Sequence, residues 1–90
     1  MTPTTVERYA YKNTHSTAGR PEKHEIVIAD IRDIYKWLNV YGNPNYYIAM
    51  NDGTFYRLVD DYGGTNDLNS VPITFVNSRA EARRADWRLR

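Results

Sequence analysis

The amino-acid sequence predicts an α+β domain in which a small antiparallel sheet of about four to five strands carries two helices packed on one face. Three observations point there. A hairpin signal, Asn51-Asp52-Gly53, separates two strand-like runs; an amphipathic stripe runs through residues 27–38; and a capping box at Ser78 and Glu81 opens a C-terminal helix. The expected order is strand, strand, helix, strand, strand, strand, helix. At 90 residues the chain has room for one core, so residues 1–90 are expected to form a single domain.

Residues 5–12 (TVERYAYK) mix β-branched and aromatic side chains in loose alternation and read as a strand. Residues 13–22 collect Asn, Ser, Thr, Gly and Pro, the composition of an exposed, mobile loop. Residues 24–41 admit two readings. Val27, Ile31, Ile34, Tyr35 and Leu38 recur at helical spacing, and a helix can open at Pro21 or at Asp30. The three successive β-branched residues Ile26, Val27 and Ile28 favour a strand paired with residues 5–12, followed by a helix capped by Asp30. Gly42 and Pro44 end that helix.

In residues 46–60 the turn decides which side chains share a face. A two-residue loop puts Ile48 on the same face as Arg57. A three-residue loop, with Gly53 left-handed, pairs Met50 with Thr54 and gathers Tyr46, Ile48, Met50, Tyr56 and Leu58. The second register gives the cleaner apolar face and is the expected one. Residues 60–72 are polar and contain glycines, so they read as a second mobile connection. Residues 73–76 then form a short strand with Pro72 at its entry. The terminal helix runs from Ser78 to about Leu89 and buries Ala82, Ala85 and Leu89, with Trp87 nearby.

Composition narrows function mainly by exclusion. The chain contains no cysteine, which removes disulfides, thiolate nucleophiles and Cys-based metal sites. No run approaches the roughly 18 apolar residues of a membrane span, so a cytoplasmic, membrane-free protein is expected. Twelve basic residues against 11 acidic ones leave a net charge of +1, so any electrostatic attraction must be local. His15 and His24 stand nine apart with no third ligand at a recognised spacing and read as surface histidines rather than an acid–base or metal pair. Asp60, Asp61, Asn66, Asp67 and Asn69 offer oxygen donors but miss the calcium-loop pattern, and Gly63-Gly64 lacks a phosphate-loop context. No catalytic residue, cofactor or metal is therefore expected.

Two groups remain as candidate partner-binding residues. Tyr47, Phe55 and Arg57 fall on the sheet face opposite the expected core, an aromatic and cationic patch suited to protein contacts or base stacking if left uncovered. Arg79, Arg83, Arg84 and Arg88 flank the apolar stripe of the terminal helix, where guanidinium groups either solvate it or meet an acidic or phosphate-bearing partner. The expected function is a small non-enzymatic protein-interaction module, monomeric or homodimeric, that inhibits or adapts a larger partner. Compact, cysteine-free, single-domain chains of this size without catalytic motifs are frequent among phage-encoded antagonists of host defence, anti-CRISPR proteins included. The alternative is a small nucleic-acid-binding protein or toxin-type ribonuclease using the C-terminal arginines.

Overall fold

The computed structural model describes residues 5–14, 19–59, 68 and 70–88, with side chains as far as residue 85. Among the described residues there are six strands and one α-helix: β1 (Thr5–Lys12), β2 (Glu22–Val27), β3 (Ile31–Leu38), β4 (Pro44–Met50), β5 (Phe55–Leu58), β6 (Ile73–Phe75) and α1 (Arg79–Arg88). They form one mixed sheet in the order β2-β1-β5-β4-β3-β6. All pairings are antiparallel except β3 with β6, which run parallel.

The largest departure from expectation is β3. Residues 31–38 are a strand inside the sheet, preceded by a single 3₁₀ turn at Ile28–Asp30, and the helix expected from Asp30 is absent. A β-bulge explains the misleading spacing. Ile31 pairs with Met50 but Asp33 pairs with Ala49, so the alternation is reset between them and Ile31 and Ile34, three apart, both reach the same core. Tyr35 and Trp37 point to the other face and are buried there too. A strand covered on both sides places apolar residues at offsets of three and four without being a helix.

The short link between β2 and β3 forces the sheet to coil. A flat sheet would separate these strands by four spacings, about 19 Å. Val27 and Ile31 are joined by one 3₁₀ turn that advances only about 8 Å. The sheet therefore curls until β2 swings back toward β3, and the Asn51 amide fastens the link by donating to the Asp30 carbonyl at 2.8 Å. Val6, Ile26, Ile28, Ile34, Ile48 and Met50 fill the concave side, joined by Tyr56, Leu58 and two residues from beyond β5, Leu68 and Val71. Residues 60–67 and 69 of that connection, like residues 15–18 of the expected first loop, lie outside the described residues.

The hairpin adopts the three-residue register. Met50 and Thr54 close it, the Met50 amide donating to the Thr54 carbonyl at 2.8 Å, and Gly53 takes a φ of 92° that a side chain would strain. The terminal helix opens at its capping box: the Glu81 amide donates to Ser78 Oγ at 3.2 Å, and the Glu81 carboxylate reaches back to the Asn77 amide, one residue before the cap. This helix lies on the convex face, opposite the Ile48 side, and packs Ala82 against Tyr35, Trp37, Tyr47, Ala49 and Phe55.

Candidate functional site

The packing of α1 settles the first candidate patch. Tyr47 is 1% exposed and Phe55 8%, so both are core residues rather than an open face. Their rings stack at 5.1 Å with 12° between planes, and Tyr35 meets Tyr47 edge-on at 5.9 Å. Arg57, between Tyr47 on β4 and Tyr11 on β1, is half-buried. The expectation of an exposed Tyr47–Phe55–Arg57 surface assumed that two helices cover the Ile48 face. With residues 31–38 in the sheet, one of the two expected helices remains, and it takes the other face.

The arginines do come together. Arg79, Arg83 and Arg84 line one shallow concavity of about 250 Å³ on the outer side of α1, Arg84 being the most exposed of the three. The side chain of Arg88 lies outside the described residues, as do His15 and the acidic stretch from Asp60 to Asp67. His24 packs its ring against Tyr56 at 5.3 Å, and among the described residues no group of three or more His, Asp or Glu side chains stands close enough to hold a metal ion. No helix among them is long and apolar enough to cross a membrane.

Another concavity, of about 780 Å³, lies at the hairpin end beside Asn13, Arg32, Asp52 and Thr54. Arg32 is there because it is the extra residue of the bulge. The Asp52 carboxyl is held below its ordinary value of 3.8 by the backbone amide and side-chain hydroxyl of Thr54, with the charge of Lys12 a smaller contributor. It is thus an anion at neutral pH and a poor proton donor. A depressed folded value stabilises the fold above 3.8 and ceases to do so as the pH falls through it. Asp52→Asn is therefore expected to lower the melting temperature at neutral pH, the gap to the parent closing in acid. A gap unchanged by acid would show that the charge contributes nothing.

The more distinctive surface was not picked out from the sequence. Because β3 and β6 run parallel, their C-terminal ends lie side by side, and four large apolar residues are exposed there: Leu38, Val40, Tyr41 and Phe75, at 59, 94, 85 and 74%. The turn between β3 and β4 is tied by one side chain. Asn39 Oδ1 accepts from the amides of Tyr41 and Asn43, both at 2.9 Å, while the Asn39 amide donates to the Asn43 carbonyl at 2.9 Å. Gly42, at a φ of 82°, completes the bend. Val40 and Tyr41 are thus carried into water on an ordered backbone. Beside them the Lys36 ammonium sits 5.7 Å from the Tyr46 ring and 5.5 Å from the Phe75 ring.

Leu38 and Phe75 share a groove of about 370 Å³ with Lys36 and Trp37. A second hollow continues from Phe75 and Val76 past Asn77 and Glu81 to Arg84. Since the arginine concavity also includes Arg84, one strip runs from Leu38 over Phe75 to the arginines of α1. The turn residues of NVYGN were legible as punctuation, but a helix ending at Gly42 accounts for them as well as a hairpin does. Compared with known proteins, the chain finds no match: no protein-family model, no curated protein and no solved structure.

Proposed function

We propose that the chain is a non-enzymatic protein-interaction module, an inhibitor or adaptor that contacts a larger partner through the end of the sheet where β3 and β6 stop. The observation that carries this reading is the exposure of Leu38, Val40, Tyr41 and Phe75 on ordered backbone. Scattered apolar residues are ordinary on a surface, but a turn cross-tied by its own asparagine that presents Val40 and Tyr41 to water loses little entropy on binding. Tyrosine is also among the side chains that anchor interfaces. Arg79, Arg83 and Arg84 lie at the far end of the same strip, where a partner's acidic groups would meet them.

The same arginines favour a second reading, nucleic-acid binding through α1. One experiment separates the two. The tagged chain and two double variants, Val40→Ser with Tyr41→Ser and Arg83→Glu with Arg84→Glu, are used for quantitative capture from host lysate and for binding to mixed RNA and DNA. The expected result is a stoichiometric protein complex stable at moderate salt and weakened roughly tenfold or more by the turn substitutions. Nucleic-acid binding that falls steeply with salt and disappears in the arginine variant, with no protein partner sensitive to the turn, would overturn it.

A further inference from the structure

We infer that two copies of the chain pair through the outer edge of β6, antiparallel about Thr74, so that the sheet of one copy continues into the other. This goes beyond the protein-interaction reading and does not depend on it. The backbone supports it first. The Pro72 carbonyl accepts from the Ile34 amide at 3.3 Å, and the Val76 amide donates to the Lys36 carbonyl at 2.9 Å, so the even-numbered residues here face β3. By strand alternation Ile73 and Phe75 turn their amides and carbonyls away from β3, to the side where no described strand pairs with β6.

This edge is its own complement. A twofold axis at Thr74 sets Ile73 of one copy opposite Phe75 of the other, where the two exchange both backbone hydrogen bonds, and symmetry repeats the pair on the far side of the axis. Pro72, which has no amide to offer, falls opposite Val76, whose amide is already bonded to Lys36. The side chains suit the same register. Ile73 packs against the concave core, and Phe75, two residues on and 74% exposed, shares that face, so each ring meets an isoleucine across the axis. On the helix side Thr74 meets its own counterpart, a favourable cross-strand pair.

Charge neither drives this pairing nor opposes it. β2, the other edge of the described sheet, carries Glu22, Lys23 and Glu25, whereas β6 reads Ile-Thr-Phe. Asp33 and Lys36 stand on β3, one strand in, so each is three strand spacings from its counterpart, about 14 Å, beyond the roughly 8 Å over which physiological salt leaves charges unscreened. The hollow beside Phe75 holds Glu81 as well as Arg84, and the two signs offset. A three-residue strand makes few backbone bonds and covers little area, so the pair is weak, with a Kd of about 100 µM. Antiparallel pairing also sends the two Val40–Tyr41 turns to opposite ends of the joined sheet, each free for a separate partner.

The test is sedimentation equilibrium of the purified full chain from about 10 µM to about 1 mM, where a monomer–dimer equilibrium with a Kd of about 100 µM is expected. In a mixture of isotope-labelled and unlabelled chain, the α-protons of Thr74 in the two copies are expected to show a nuclear Overhauser contact, as directly opposed residues without mutual hydrogen bonds do. Phe75→Val removes the ring, keeps the outward amide and is expected to weaken pairing roughly tenfold. Phe75→Pro also removes that amide, which makes no bond to β3, and is expected to stay monomeric at about 1 mM with a melting temperature like that of Phe75→Val. A parent chain monomeric at about 1 mM, a dimer that Phe75→Pro leaves intact, or contacts between copies that exclude Thr74 would overturn the inference. If the chain is monomeric while lysate capture still depends on Val40 and Tyr41, the pairing is wrong and the interaction reading stands.

Discussion

Tyr47→Ala is expected to leave the chain largely unfolded at room temperature. The residue is 1% exposed, with Phe55 stacked on one side, Tyr35 edge-on at the other and Ala82 of α1 closing the cluster. Truncating a buried aromatic ring of this size costs about 3–5 kcal/mol. A domain this small has only about 5 kcal/mol in total. Tyr47→Phe keeps the ring packing and is expected to cost about 1 kcal/mol. Circular dichroism melting of the two variants reads the difference directly. Were Tyr47 on an open binding face, as the sequence alone implies, Tyr47→Ala would melt like the parent.

Leu68→Ala is expected to destabilise by about 2–5 kcal/mol, as much as an isoleucine truncation inside the sheet. Its surroundings in the sequence, DDYGGTNDLNSVP, are polar and glycine-bearing and read as a solvated connection. Yet Leu68 is fully buried in the concave core, and Val71, whose amide donates to the Leu68 carbonyl at 2.9 Å, follows it in. α1 lies on the other face of the sheet, and these two residues help to close the concave side. Equilibrium unfolding in urea measures the change. A loss below about 0.5 kcal/mol, the scale of an ordinary surface substitution, would mean that the segment does not seal the core.

Much of the local structure was legible because its signals are short-range. Asn51-Asp52-Gly53, a glycine free to take positive φ and an alternation that tolerates only one register place β4 and β5 with Met50 opposite Thr54. Ser78 and Glu81 mark the start of α1, and the pairing of β1 with β2 follows from two β-rich runs separated by a loop. Residues 31–38 were misread because two non-local facts hide in them. The bulge at Arg32 is set by pairing with β4, and burial on both faces is set by α1 on one side and the coiled core on the other. Neither leaves a mark in the local sequence beyond a spacing that a helix shares.

The candidate site inherits both outcomes. Arg79, Arg83 and Arg84 gather on α1 as the helical spacing implies, because the capping box marks where that helix starts. Tyr47 and Phe55 were misplaced because the choice of covered face depended on how many helices exist. Leu38, Val40, Tyr41 and Phe75 were missed because their exposure follows from the parallel pairing of β3 with β6, which brings two chain segments 35 residues apart to the same end of the sheet.

All of this depends on residues 31–38 forming a strand, since that fixes which aromatic rings are enclosed and which meet a partner. Nuclear Overhauser contacts across β3 decide it. Cross-strand contacts from Ile34 to Ile48 and from Tyr35 to Tyr47, with further contacts from Ile34 to Ile73, are the expected pattern. Amide contacts between successive residues through 31–38, together with contacts three residues apart, would make the segment a helix, reopen the Tyr47 face and contradict the account.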